Sequence, residues 1–202
     1  MDYERAVVDF LARPDNLPIA LEVAKRIEKV KDQIQIQFWQ QYRDVMGKRL
    51  QAASLTERWQ MQLTPERKLL DPWAKCHIGY SAPNRQALHL DVTLEVENPR
   101  IVGYLYYGLR WSEQHSEAPD SARMTEIMNV LKMMGLSLKS KSNWWVMYIN
   151  LEHRLREEQF LLRYVAEPDQ VIGEISERVW TFFAQMREPL ETLNGAIAND
   201  RS

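Results

Sequence analysis

The sequence of 202 residues is long enough for one domain with a sizeable core, and its 45% hydrophobic and 27% charged residues are the balance of a globular protein. A formal net charge of −2 excludes a strongly basic polyanion-binding protein, and a single cysteine excludes an internal disulfide or a cysteine-rich zinc site. Neither a run of 18 apolar residues nor a leader sequence is found, so we expect a cytoplasmic protein with no membrane contact.

Two helices are predicted at the start of the chain. A short amphipathic helix covers Tyr3 to Ala12 and is ended by Pro14 and Pro18, because proline cannot continue a helix. The second helix begins near Pro18 and is free of glycine up to Gly47. Its apolar residues recur three or four positions apart, at Ala20, Val23, Ile27, Val30, Ile34, Phe38, Tyr42 and Val45.

The second helix is too long for one small domain to cover easily. About thirty residues make a rod of roughly 45 Å. It either lies across a sheet as a core helix or packs one end against a second protomer. The aromatic end, which carries Phe38, Trp39, Tyr42 and Met46, is the predicted partner interface, because exposed aromatic side chains are typical of interface centres.

Strands are predicted in the middle of the chain, after residues 52–72, where Thr56–Trp59 and Pro65–Lys68 are candidates for short helical turns. Lys75–Tyr80 alternates weakly, and Leu88–Glu97 alternates between apolar and polar residues over ten positions. A third strand lies within Arg100–Trp111, and the short connections predict an antiparallel meander. The polar residues of the second strand, which we predict to be exposed to solvent, are His89, Asp91, Thr93, Glu95 and Glu97.

The remaining elements are a helix, a fourth strand and two helices. Their predicted bounds are Ser121 to Gly135, Asn143 to Ile149, Leu155 to Ala166 and Val171 to Ile197. Pro189 is expected to kink or interrupt the last helix.

The predicted fold class is α+β and mostly helical. It has a long N-terminal helix, a three-strand antiparallel meander, a helix, a fourth strand and C-terminal helices packed on one sheet. We predict a single domain over residues 1–202, with an N-terminal helical arm over 1–50, a sheet region over 73–151 and C-terminal helices over 152–198.

Residues that carry chemistry are few. The four histidines show no metal-ligand spacing, and neither a Walker loop nor a nucleophile elbow is present, so we expect no metal, cofactor or catalytic residue. Lys139 and Lys141 lie close to Trp144, and lysines beside an exposed indole are typical of a nucleic-acid contact. The alternative interpretation is a solvated loop beside a core tryptophan.

Several short aromatic motifs resemble a known family. Ala24 to Val45, with its Phe38-Trp39 pair, resembles the helix that follows the nuclease core in some bacterial proteins of the PD-(D/E)XK superfamily. Their C-terminal parts are similar to three later segments of this chain, which are Tyr106-Tyr107-Gly108-Leu109, Trp144-Trp145 and Trp180 through Asn194.

The resemblance implies metal-dependent nuclease chemistry, which needs an acidic residue on one strand and a (D/E)-x-K triplet on the next. Here the candidate triplet Glu66-Arg67-Lys68 follows Pro65 outside any predicted strand, and Asp91 has no triplet on the strand after it. We therefore expect the catalytic set to be missing.

Two functional hypotheses follow. The first is a non-catalytic cytoplasmic binding or regulatory module, related to bacterial nuclease-like proteins, that acts through contacts with a protein partner or as a homodimer. The second is a nucleic-acid-binding protein or a degenerate PD-(D/E)XK nuclease involved in DNA processing or phage defence, with contacts from Lys139, Lys141 and Trp144.

Overall fold

The computed structural model describes residues 3–81, 89–112, 121–136 and 144–199. Their helices are α1 (Tyr3–Leu11), α2 (Leu17–Ala52), α3 (Ser121–Met133), α4 (Glu158–Ala166) and α5 (Pro168–Asn199). Their strands are β1 (Trp59–Leu63), β2 (Lys75–Tyr80), β3 (Leu90–Glu97), β4 (Tyr104–Trp111) and β5 (Trp145–Arg154). In these ranges, no helix is long and apolar enough to span a bilayer.

The five strands form one antiparallel sheet in the order β1-β2-β3-β4-β5. The predicted α+β class and the meander are confirmed. The alternation of β3 places one set of apolar side chains in the core, each at most 1% exposed: Leu90, Val92, Leu94 and Val96. A hydrophobic strand face of this kind requires a helical layer on the same side.

Strand β1 was not predicted from the sequence. It is only five residues long, and it pairs with β2 along its whole length, from Trp59 opposite Tyr80 to Leu63 opposite Cys76. Trp59 is fully buried, and its indole Nε1 donates a hydrogen bond to Glu191 of α5 at 3.0 Å. A strand this short carries little local signal, so its partners in the sheet determine it.

Helices α2 and α5 cover the inner face of the sheet and pack against each other, with α3 and α4 against α5. The C-terminal half of α2 supplies the centre of this layer. Phe38 contacts the rings of Phe160 and Tyr164 of α4 at 6.0 and 6.2 Å between centroids.

The predicted exposure of the aromatic end of α2 is wrong. The four residues assigned to a partner interface are at most 1% exposed: Phe38, Trp39, Tyr42 and Met46. They belong to the core of their own chain because α4 and α5 fold back over this half of α2. Four large apolar side chains of this kind are more favourably buried inside the chain than at a separable interface.

Two residues that disfavour helix lie inside the described helices, and the interruption predicted at Pro189 is absent. α2 continues through Gly47 to Ala52, although glycine in a helix interior costs about 1 kcal/mol relative to alanine. α5 continues through Pro189 to Asn199. In both helices the neighbouring residues, Met46 in α2 and Leu190 in α5, are fully buried, so tertiary packing outweighs the local preference.

Candidate functional site

The N-terminal part of the chain is a helical arm, defined here as α1 together with residues 17–33 of α2. Within residues 3–33 no residue is buried, and the first buried residue of α2 is Ile34. Residues 17–33 extend about 25 Å beyond the packed part of the helix. The large apolar residues of the arm that are exposed are Tyr3, Val7, Val8, Phe10, Leu11, Leu17, Ile19, Leu21, Val23, Ile27 and Val30.

A groove runs between the arm and α4, with a volume of about 800 Å³. One wall is the apolar stripe of α2, whose members Val23, Ile27, Val30 and Ile34 are spaced four, three and four residues apart. This heptad-like spacing keeps the stripe on one side of the helix. The other wall is supplied by α4 through Leu161, Leu162, Val165 and Ala166. We call this the α2–α4 groove.

A second cavity, of about 510 Å³, separates α1 from α2. Phe10 and Leu11 line it from α1, while Val23 and Ile27 line it from α2 and also belong to the α2–α4 groove. The apolar surface is therefore continuous from α1 across α2 to α4. α1 has no buried residue, and its apolar side chains are about half exposed, at 39% for Val7, 52% for Phe10 and 42% for Leu11.

The arm is held at its base by a buried arginine. Arg156, which follows β5, donates hydrogen bonds to Asp32 at 2.6 Å and to Glu28 at 2.5 Å. Its side chain is 4% exposed. Burial alone opposes the charge, but the two carboxylates raise the pKa of the guanidinium above its usual value. Arg156 therefore fixes where α2 leaves the body of the protein.

The short turn between α1 and α2 is set by local contacts. The side-chain amide of Asn16 donates to the carbonyl oxygen of Phe10 at 2.9 Å, and Pro18 lies in the first turn of α2. Proline is favoured there because the first amide groups of a helix have no intrahelical acceptor. The sequence between the two helices thus folds α1 next to the beginning of α2.

The opposite, outer face of the sheet carries a second candidate site, which we call the outer-face cluster: Lys75, His77, His89, Asp91, Glu95, Tyr106 and Arg110. The strand register assembles it, since Asp91 lies opposite Arg110, and Glu95 lies between Lys75 and Tyr106. Asp91 and Glu95 are only 4% and 3% exposed. The predicted solvent exposure of this face of β3 is therefore wrong for these two carboxylates and also for Thr93, which is 1% exposed, because the side chains of the neighbouring strands enclose them.

Asp91 forms one half of the outer-face cluster. Its Oδ1 atom accepts a hydrogen bond from the backbone N–H of Tyr80 at 3.1 Å and lies 3.4 Å from His89 Nε2. Burial raises the pKa of Asp91 to about 6, against the attraction of His89. Burial, together with the positive charges of Lys75 and Arg110, lowers the pKa of His77 to about 4.

Glu95 and Arg110 form the other half of the outer-face cluster. Glu95 accepts a short hydrogen bond from the hydroxyl of Tyr106, and its second oxygen lies 3.5 Å from Nε of Arg110. Burial raises the pKa of Glu95. The guanidinium of Arg110 also lies 4.3 Å from the centre of the Trp144 ring, a favourable cation–π distance.

The outer-face cluster mixes acids and bases rather than gathering metal ligands. Among the described residues, no group of three or more histidine, cysteine, aspartate or glutamate side chains could hold a metal ion. The triplet Glu66–Lys68 forms a 3-10 turn between β1 and β2 and is not part of a strand. Perturbed acids next to bases do occur at functional sites, but structural ion-pair networks produce the same shifts.

The predicted nucleic-acid site is only partly within the described residues. Trp144 is half-buried and faces Arg110. Lys139 and Lys141 lie outside the described residues. The large apolar residues within 17–33 of α2, which were not predicted to form an interface, are all aliphatic. The change to aromatic residues after Ile34 marks where the exposed half of α2 ends.

Comparison with protein-family models, with curated proteins and with solved structures finds no match to this chain. The interpretation of both sites therefore rests on their own geometry.

Proposed function

We propose that the chain is a non-catalytic protein-binding module, related to the bacterial PD-(D/E)XK nuclease-like proteins, that self-associates through its helical arm. The observation that carries this proposal is the uncovered apolar surface of residues 3–33 and the adjoining α2–α4 groove. The 3-10 conformation of Glu66–Lys68 supports the non-catalytic part, since the family's triplet is carried by a strand.

The size of the exposed surface supports association. Burying one large aliphatic or aromatic side chain is worth about 1.5–3 kcal/mol, which corresponds to about 60–120 Å² of apolar area. The eleven exposed apolar residues of the arm, with Leu162 and Val165 of α4, are mostly about half exposed and so present about 400–800 Å². One side of a standard interface contains about 450 Å² of apolar area.

Sedimentation velocity of the full chain from about 1 to 100 μM tests the proposal. We expect a mass above the 23.9 kDa of one chain that rises with concentration. Val30→Asp places a charge in the middle of the α2–α4 groove, and we expect it to shift the association midpoint at least tenfold, because a charge without a partner is costly at an interface centre.

The matched control is Ile101→Asp. Ile101 is 77% exposed between β3 and β4, far from the arm in sequence, and should leave the association unchanged. Thermal unfolding should be nearly the same for both variants, because both positions are exposed. A chain that stays monomeric over the whole concentration range, with Val30→Asp identical to the parent chain, would contradict the proposal.

A further inference from the structure

The chain carries both an amphipathic helix without a buried residue and an uncovered groove of similar length. α1 spans nine residues, about 13 Å, and the α2 wall of the groove spans Val23 to Ile34, about 17 Å. The apolar side chains of α1 recur at Ala6, Val7, Phe10 and Leu11, the spacing with which an amphipathic helix enters a groove.

The connection to α2 lets α1 reach only the first part of the groove of its own chain. α1 ends at Leu11 and α2 begins at Leu17. Folded back along α2, nine helical residues reach only to about residue 26, and the cavity between the two helices indeed ends at Ile27. The end of the groove at Ile34 lies about 25 Å from Leu17, beyond the reach of α1.

The charges near the two surfaces are complementary. α1 carries Glu4 and Asp9 against one basic residue, Arg5. The α2–α4 groove is lined by three basic side chains, Arg26, Lys31 and Arg156, and by one acidic side chain, Glu158, so its lining is net positive. The ion pair of Arg26 with Glu22 is exposed on both sides and therefore weak, so Arg26 can turn towards an incoming acidic side chain.

We infer that α1 of one copy docks into the α2–α4 groove of a second copy, and that the second copy returns its own α1 to the first. The exchange is reciprocal, so it closes as a two-fold dimer and does not propagate into a filament. This inference rests on the proposed function, and it names the second copy as the partner and α1 as the segment that binds.

Cross-linking between two variants that each carry one added cysteine tests the exchange. Val7→Cys places a thiol on the apolar side of α1, and Leu162→Cys places one on α4 at the groove. The native Cys76 is 1% exposed, and burial raises the pKa of its thiol, so it should not react. We expect an equimolar mixture to form a disulfide-linked dimer under mild oxidation at least tenfold faster than either variant alone.

Two further variants supply the control and the affinity measurement. A mixture of Val7→Cys with Ile101→Cys should cross-link no faster than Val7→Cys alone, because Ile101 lies outside the groove. In sedimentation, Phe10→Asp should weaken the dimer about 30-fold or more, the size expected for loss of a central apolar anchor.

Two outcomes would overturn the exchange while leaving the proposed function intact. In the first, Val30→Asp abolishes association, whereas Phe10→Asp leaves it unchanged and the cysteine mixture cross-links no faster than either variant alone. This result would indicate pairing of the α2 stripes alone. The other is an intrachain disulfide in the doubly substituted Val7→Cys, Leu162→Cys chain at nanomolar concentration. A monomeric parent chain would instead remove the proposed function and the exchange together.

Discussion

Replacing Phe38 by alanine should lower the free energy of unfolding by about 3–5 kcal/mol, the range for loss of a large aromatic side chain from a core. Phe38 is fully buried, and its ring lies 5.3 Å from that of Trp39 and 6.0 Å from that of Phe160. The substitution leaves a cavity where α2, α4 and the rest of the helical layer meet. Urea denaturation followed by tryptophan fluorescence measures the change.

Phe10→Ala is the matched control, since it removes the same side chain from a position that is 52% exposed. In the monomer, at the lowest usable concentration, it should change the free energy of unfolding by no more than about 0.5 kcal/mol. The two variants also distinguish the arm from the buried half of α2, because Phe10→Ala should weaken association without unfolding the chain. An unfolding free energy unchanged by Phe38→Ala, together with lost association, would restore the interface interpretation for the aromatic half of α2.

The second large effect concerns the pH dependence of stability in the outer-face cluster. The pKa of Asp91 is raised from 3.8 to about 6, so the folded state binds a proton more tightly than the unfolded state. The protonated Asp91 therefore contributes to the free energy of unfolding at low pH, and this contribution is lost as the pH rises through 6. His77 has its pKa lowered from 6.5 to about 4, so its contribution is present above 6.5 and is lost as the pH falls through 4. The two contributions oppose each other between about pH 4 and 6.5.

Single substitutions should separate the two contributions. A pKa that differs by about 2 between the folded and unfolded states changes the free energy of unfolding by roughly 3 kcal/mol. Relative to the parent chain, Asp91→Asn should therefore lose roughly 2–3 kcal/mol of unfolding free energy between pH 7.5 and pH 4. His77→Gln should gain a similar amount over the same interval. Urea denaturation at several pH values measures both, and taking differences from the parent chain cancels groups that titrate elsewhere.

Equal pH profiles for the parent chain and both variants would show that neither side chain titrates in this interval. Tyr80 provides the backbone contact to Asp91, and Lys75 and Arg110 provide the surrounding positive charge. A profile for Asp91→Asn that moves in the opposite direction would mean that attraction to these bases outweighs burial and keeps the carboxyl charged.

The sequence alone determined the elements whose signal is local and periodic. The alternation before Glu97 determined β3, and Lys75–Tyr80 was predicted with its observed bounds. The three-or-four spacing determined the long helix, and Pro168 correctly separated α4 from α5. In these segments the backbone preference and the hydrophobic period agree, so tertiary contacts reinforce what the chain already favours.

Tertiary structure decided the rest, and it did so through partners that lie far away in sequence. The five residues of β1 became a strand because β2 supplies all their hydrogen-bonding partners. Met46 and Leu190 hold α2 and α5 helical through Gly47 and Pro189, and the energy of burial exceeds the local cost.

Contacts between elements that are distant in sequence also determine which surface of the protein is exposed. An apolar stripe along α2 shows which side of the helix avoids water, but only the positions of α4 and α5 decide where along the stripe it is covered. They cover it from Ile34 onwards and leave residues 17–33 uncovered. On the other face, the polar alternation of β3 indicated solvent, whereas side chains of β2 and β4 enclose Asp91 and Glu95. Sequence period determines which way a side chain points, and the elements folded against it determine whether that side meets water.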